Sequence, residues 1–228
     1  MGRINRIVVP GIPHHVTQRG VRRMSVFFDD GDRESYIRKI ASKSRKYGAE
    51  VLCWCLMPNH VHLIMIPADE SALTLAVGRA NWAYVKDLNE RYECTGRLFE
   101  GRFYSMPMDE WHSMNAIRYV LQNPVRAGIV EKPEEYLWSS ARFMLGLESD
   151  DPLLRSADVL DVPDWSDFLG RNASDIENIR ACTRHGHPYG DSNFVSWIEE
   201  LTGRDFSKPR RGRPRKQKIV PLTNQENS

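Results

Sequence analysis

Apolar and polar positions alternate over short stretches of this chain and recur every three or four residues over longer ones. His14-His15-Val16-Thr17-Gln18-Arg19-Gly20 reads as a short strand ending in a turn. Arg22 to Asp30 reads as a basic, glycine-flanked loop. From Asp32 to Tyr47 the residues Tyr36, Ile37, Ile40, Ser44 and Tyr47 recur at helical spacing, and Gly48 supplies the stop. Glu50 to Met57 is an apolar run of buried-strand character. Pro58-Asn59 is a turn signal, and His60 to Ile66 is the next strand, so the two runs predict a hairpin.

Ser71 opens a second helix that reads to about Tyr92, with Leu73, Leu75, Val77, Ala80, Tyr84, Val85 and Leu88 mostly on one side. Thr95-Gly96 breaks it. Leu98 to Met106 is expected as a strand, and Asp109 to Gln122 as a third helix ended by Pro124. The order β-α-β-β-α-β, then α, predicts an α+β fold. Its form is a ferredoxin-like antiparallel sheet with flanking helices over one or both faces. Beyond Glu148 short helices are expected at Ser156–Leu160 and Asp164–Leu169, separated by Pro and Asp. From about Asp205 the chain is rich in Pro, Arg and Lys and reads as a disordered basic tail. The expected division is a core of residues 1–147, a helical C-terminal extension over 148–204 and the tail over 205–228. No internal repeat is visible.

Composition narrows the class. The 228 residues are 41% hydrophobic and 27% charged, as in ordinary globular proteins. The longest apolar run, Val51 to Met57, is far short of the ~20 residues that span a bilayer. No secretory signal follows Met1, and no membrane role is expected. Of the four cysteines only Cys53 and Cys55 are close, on alternate positions of a strand, which fits neither a zinc knuckle nor a disulfide framework. Reduced thiols and a cytoplasmic location are expected.

The net charge of +2 conceals segregation. The first 30 residues hold five arginines (Arg3, Arg6, Arg19, Arg22, Arg23) against two acids. From Glu131 to Glu177 twelve acids face four bases, and from Arg204 to Lys218 eight bases face one acid. Basic segments at both ends suit a polyanion, because Lys and Arg displace counterions from phosphates. A solvated charged face and tail is the alternative.

Four groups of residues can carry chemistry. His60-Val61-His62 puts two imidazoles on one strand face, a metal half-site or simply two polar positions on a solvated face. Tyr119 and Asn123 lie four apart, a nucleophile and a carbonyl ligand for a hard divalent ion. Otherwise Tyr119 is sheet packing and Asn123 a helix cap. Arg211-Gly212-Arg213-Pro214-Arg215-Lys216 can lie in a narrow minor groove or contact phosphates without sequence preference. His185-Gly186-His187 is a second H-x-H in a Gly- and Pro-rich loop, where a structural or DNA-contacting role is favoured over a metal site.

These residues carry a resemblance. Cys55-Leu56-Met57-Pro58-Asn59-His60-Val61-His62-Leu63-Ile64 resembles the signature of the IS200/IS605-type transposases, the Y1 group of HUH nucleases. Arg118 to Gly128 resembles the nucleophile helix of one branch, the REP-associated tyrosine transposases. Thr17-Gln18-Arg19-Gly20, Gly96 to Phe103, and Tyr136 to Ala141 support it in the same order. The resemblance covers about Arg3 to Leu145 and continues loosely to Gly212-Arg213-Pro214.

The resemblance implies that residues 1–147 are the catalytic domain of an HUH nuclease fold. Tyr119 would be the nucleophile, and His60, His62 and Asn123 would hold Mg²⁺ or Mn²⁺. Asn123 departs from the insertion-sequence members, which carry glutamine there. The implied activity is cleavage and rejoining of single-stranded DNA at palindromic hairpins through a 5′-phosphotyrosine link. The alternative is a domesticated hairpin-binding protein with little catalysis. Replication initiators and relaxases share the histidine pair, but the Met57–His60 hairpin and the Tyr119–Gly128 stretch point away from them. Arg3, Arg6, Arg19, Arg22, Arg23, Arg211, Arg213 and Arg215 are the expected DNA contacts. Exposed aromatics such as Trp111 can stack bases, although core packing is the commoner fate of a Trp. Insertion-sequence relatives exchange nucleophile helices as dimers, whereas the longer C-terminal part here tilts the expectation towards a monomer. The tail either extends the DNA footprint or occupies the DNA groove as an inhibitor.

Overall fold

A computed structural model of the chain describes residues 6–154, 160 and 162–206. Arg3, Arg211, Arg213 and Arg215 lie outside the described residues, as do the basic tail from residue 207 and, Leu160 apart, the helix expected at Ser156–Leu160. Four strands, β1 (His14–Arg19), β2 (Ala49–Met57), β3 (His60–Pro67) and β4 (Tyr104–Pro107), form one sheet in the order β2-β3-β1-β4. Each neighbouring pair is antiparallel. Helix α1 (Asp30–Tyr47) joins β1 to β2, and α2 (Ala72–Arg91) joins β3 to β4. The fold is therefore α+β, with the split βαβ arrangement the element order predicts.

α1 and α2 pack on each other and on one face of the sheet. By register that face carries Val16, Gln18, Val61 and Leu63. A buried polar chain ties the layers: the Tyr36 hydroxyl donates to Asn81 Oδ1 (2.8 Å) and Asn81 Nδ2 donates to Gln18 Oε1 (3.0 Å). Asp29 caps α1 by accepting from the Asp32 backbone at 2.8 Å, and Asp32 answers in a reciprocal capping box. Asp32 is buried but fully paired, since it also accepts from the Phe28 backbone (2.8 Å) and from Arg91 of α2. Gly48 ends α1 with φ of +63°, and a Cβ there would stand 2.9 Å from Ala68 Cβ, so glycine is required.

Two expected elements differ. The strand expected over Leu98–Met106 is confined to Tyr104–Pro107. Upstream, Phe99 forms an isolated bridge to Gly20 and the Glu100 backbone donates to the Arg19 carbonyl (3.0 Å). Phe99 and Phe103 both bury, but Glu100, Gly101 and Arg102 between them stay at the surface and interrupt the ladder. The third helix, α3 (Glu110–Leu121), ends one residue early, and a separate turn, α4 (Asn123–Arg126), follows. Pro124 lies in the first turn of α4, where a missing N–H costs nothing. Tyr119 and Asn123 therefore stand on successive helices, not on one.

The opposite sheet face is covered by α3 and by α7 (Ile176–His185). Between α4 and α7 come α5 (Ala141–Met144) and α6 (Trp165–Gly170), and α8 (Ser192–Thr202) follows. α6 begins one residue after its expected start, with Asp164 as the N-cap. Residues 169–174 are clasped by two side-chain amides, Asn115 of α3 and its C-cap Gln122. Gln122 donates to the carbonyls of Leu169 (2.8 Å) and Arg171 (2.6 Å) and accepts from the Ala173 backbone (3.1 Å). Asn115 exchanges two bonds with the Ser174 backbone (2.6 and 2.9 Å). Leu169, Ala173, Ile179 and Tyr189 bury in the same core as the sheet. All four cysteines are free thiols. Among the described residues no helix is long and apolar enough to cross a membrane.

Candidate active site

β1 and β3 pair so that Arg19 lies opposite His60 and Thr17 opposite His62. Cross-strand partners share a face, so His60, His62, Thr17, Arg19 and, two residues back, His15 all point away from α1 and α2. They line a cleft of about 610 Å³, together with Tyr104, Tyr119, Asn123 and a row from α7. Val61 points into the core, as its alternation requires.

The two histidines of β3 are 4.7 Å apart between ring centroids, nearly perpendicular. His60 Nδ1 donates to Asn59 Oδ1 at 2.6 Å. The direction follows from Asn59, whose Nδ2 is already donating to the Arg23 carbonyl (3.1 Å), which leaves its oxygen towards His60. His60 Nε2 thus keeps its lone pair. His62 is only 4% exposed, its Nδ1 is 2.8 Å from His15 Nε2, and its own Nε2 is buried without a partner. Burial, with Arg19 beside it, lowers the His60 pKa to about 4. Burial, then His60, lowers that of His15 to about 3. Burial, then His60, His15, Arg126 and Arg19, hold His62 well below the ordinary imidazole range. All three rings are neutral at neutral pH, the state that ligates metals.

Tyr119 stands edge-on to both inner histidines, 5.8 Å from His62 and 6.0 Å from His15 between centroids. The Arg126 guanidinium covers its ring. Arg180 of α7 stands beside its hydroxyl, and that neighbour is the largest influence raising the Arg180 pKa. Asn123 lines the same cleft and its Nδ2 is buried without a partner. Of seven partnerless buried side-chain polar atoms among the described residues, four belong to His62, Asn123 and Arg126. Buried polar atoms are rarely left unpaired, so their concentration here marks a place built for a further group. Among the described residues no three His, Cys, Asp or Glu side chains gather to hold an ion. A third protein donor beside His60 and His62 must be of another type, and the Asn123 amide in the same cleft is one. The residues present fit a divalent ion.

The expected DNA contacts separate. Arg19 and Arg23 line the cleft, and Arg22 is exposed on the same turn but does not line it. Arg22 and Arg23 adopt left-handed backbone conformations, φ of 53° and 63°. Arg6 stands elsewhere, stacked 3.7 Å over the Phe103 ring and donating to the Phe103 carbonyl (2.9 Å). Trp111 is 70% exposed, contrary to the core fate expected of a Trp, because its helix turns that side to solvent. His185 is the last residue of α7 rather than part of a loop, Gly186 caps the helix, and the His187 ring lies against Phe206.

Sequence reasoning missed α7. Glu177, Arg180, Thr183 and Arg184 recur at helical spacing and line the cleft. The available signal was that stripe beside the apolar Ile176 and Ile179, hidden within a segment whose overall charge is acidic.

Comparison with known proteins supplies the family. Residues 9–123 match the model of the IS200-like transposases, just over half of the chain. The chain belongs to the IS200-like transposase family. The match contains β1 to α3, both histidines of β3 and Tyr119, and it ends at Asn123. A Haemophilus influenzae protein named for the REP-associated tyrosine transposases is 24% identical over 106 residues, 41% of this chain and 60% of that protein. The chain thus matches less than two thirds of that relative. A solved REP-associated tyrosine transposase bound to a REP hairpin shares the fold. It has a TM-score of 0.50, 19% identity, and coverage of 72% of this chain and 96% of its own.

Proposed function

We propose that this protein is a metal-dependent single-stranded DNA endonuclease and strand transferase acting at palindromic hairpins. The observation that carries the reading is the convergence in one cleft of Tyr119 with two neutral histidines, His60 with its Nε2 lone pair free and His62 with its Nε2 unpartnered. His60, His62 and Asn123 would hold Mg²⁺ or Mn²⁺, and such an ion polarises a phosphate and stabilises charge developing on it.

The chain's own residues do the rest. Arg126 covers the Tyr119 ring, and the Arg180 charge stands beside its hydroxyl. The Tyr119 oxygen attacks the scissile phosphorus and forms a P–O bond to the tyrosine. The bond from phosphorus to the 3′ oxygen breaks, and that oxygen leaves as a 3′-OH. The phenol proton leaves to solvent as the oxygen attacks, and a proton from solvent completes the departing 3′-OH. The phosphodiester energy is kept in the 5′-phosphotyrosine, so a 3′-OH can reverse the step and join strands without a nucleotide cofactor. Arg19, Arg23 and Arg184 supply positive charge around the cleft for the DNA backbone.

Residues 1–147 form the catalytic part in this reading, 148–204 supply α7, and 205–228 add phosphate contacts. One chain provides histidines and tyrosine together, which suits a monomer acting in the cytoplasm. The hairpin bound by the solved relative supports hairpin DNA as the substrate class.

The test is a denaturing gel. Protein is mixed with Mn²⁺ or Mg²⁺ and labelled single-stranded palindromes taken from around its own gene, beside Tyr119→Phe. A metal-dependent, denaturant-resistant band absent from the variant is the expected result. Tight hairpin binding with no such band under any metal would move the assignment to a DNA-binding protein without catalysis.

A further inference from the structure

A buried line of hydrogen bonds runs from α7 through β1 to β3. Thr183 Oγ1 lies 2.7 Å from the Ile179 carbonyl and 2.9 Å from His15 Nδ1. His15 Nε2 lies 2.8 Å from His62 Nδ1, with the two rings stacked at 5.1 Å. His62 Nε2, at the end, is buried and partnerless. Nothing in the mechanism above uses Thr183 or His15.

The directions of these bonds are fixed by what stands at the α7 end. A carbonyl can only accept, so the single hydroxyl proton of Thr183 goes to Ile179. Its second close contact, Met106 Sδ at 3.3 Å, is likewise only an acceptor. The Thr183 oxygen must then accept from His15, which places the His15 proton on Nδ1. A neutral imidazole has one proton, so His15 Nε2 is an acceptor and His62 Nδ1 must donate to it. That leaves His62 Nε2 bare. Reversed, the line would put a proton on His62 Nε2, the atom that must be free to bind an ion.

We propose that Thr183, acting through His15, is a positioning residue that holds His62 in the Nδ1-protonated tautomer with its Nε2 lone pair towards the cleft. The proposal rests on reading His62 as an ion ligand. It extends the site to α7, beyond the matched family region of residues 9–123.

The experiment is long-range proton–nitrogen NMR of the metal-free, histidine-labelled full chain, beside Mn²⁺ affinity measured by electron paramagnetic resonance. In the wild type, His15 and His62 should both carry their proton on Nδ1. Thr183→Val keeps the shape and removes the acceptor. It should shift His62 towards the Nε2 proton and weaken Mn²⁺ binding by about ten- to a hundredfold. Thr183→Ser should restore both. A wild-type His62 protonated on Nε2 would overturn the proposal, and this reading needs no variant to fold. So would a Thr183→Val protein with unchanged tautomer and Mn²⁺ affinity. Nδ1 protonation at both rings without Mn²⁺ binding would support the relay and overturn the ion-site reading instead.

Discussion

The guanidinium of Arg126 lies over the ring of Tyr119, 4.2 Å from its centroid, and donates from Nη2 to the Tyr119 carbonyl at 2.5 Å. Its Nε and Nη1 are buried and unpartnered, and burial lowers its pKa. Two charged donors thus remain beside Tyr119 without a protein acceptor, as the proposed phosphate site requires. Arg126→Met keeps the apolar cover and loses the donors. Single-turnover cleavage should fall by about 10²-fold, with the thermal midpoint little changed.

Tyr119→Phe removes a hydroxyl and leaves every ring contact in place. Covalent adduct should vanish on a denaturing gel, while unfolding stability in urea stays within about 1 kcal/mol of wild type. His60→Ala should lose the same adduct together with Mn²⁺ binding, which Tyr119→Phe should retain.

His14 lies on the other face of β1 from His15 and away from the cleft. Its Nδ1 donates to the Ile12 carbonyl (2.7 Å) and its Nε2 accepts from the Val9 backbone (3.2 Å), so both nitrogens are used by the neutral ring. Burial lowers its pKa from 6.5 to about 4. The unfolded chain therefore takes up a proton that the folded chain refuses. Stability is complete above pH 6.5 and is lost as pH falls towards 4, by on the order of 3 kcal/mol from this residue. His14→Gln should flatten that part of the pH dependence in a denaturant series.

Asn81 joins Tyr36 and Gln18 in the layer between the helices and the sheet. Asn81→Leu strands both partners without water, and the cost should be about 1–3 kcal/mol in urea unfolding. Replacing Tyr36 by Phe in that background should recover part of it.

Removing residues from Lys208 onward should weaken hairpin binding and flatten its dependence on salt. Each lost phosphate contact should lower the logarithmic slope by about 0.7 on single strands. Cleavage at saturating DNA should be unchanged if the tail only adds contacts. A rise would mean that the tail blocks the cleft.

The sheet and the inner site were legible because they obey short-range rules. Gly48 stops a helix, Pro58-Asn59 turns a hairpin, and period-two spacing puts His60 and His62 together. The break at Gln122 was not legible, because Pro124 reads equally as an end or as a first turn. The contribution of α7 was hidden for a different reason. Its place depends on Gln122 and Asn115 clasping backbone about 50 residues later, and periodicity carries no record of such pairings. The strand over Leu98–Met106 was overextended because Phe99 and Phe103 do bury, although only the end of the segment joins the ladder.

The contact between His15 and Thr183 spans 168 positions of the chain. During synthesis the sheet, both histidines of β3 and the tyrosine emerge from the ribosome well before α7. A nascent chain therefore carries the histidines and the tyrosine before it carries the α7 residues that meet them. A chain cut before residue 176 would keep His60, His62 and Tyr119 but lack Arg180 and Thr183, which complete the cleft from α7.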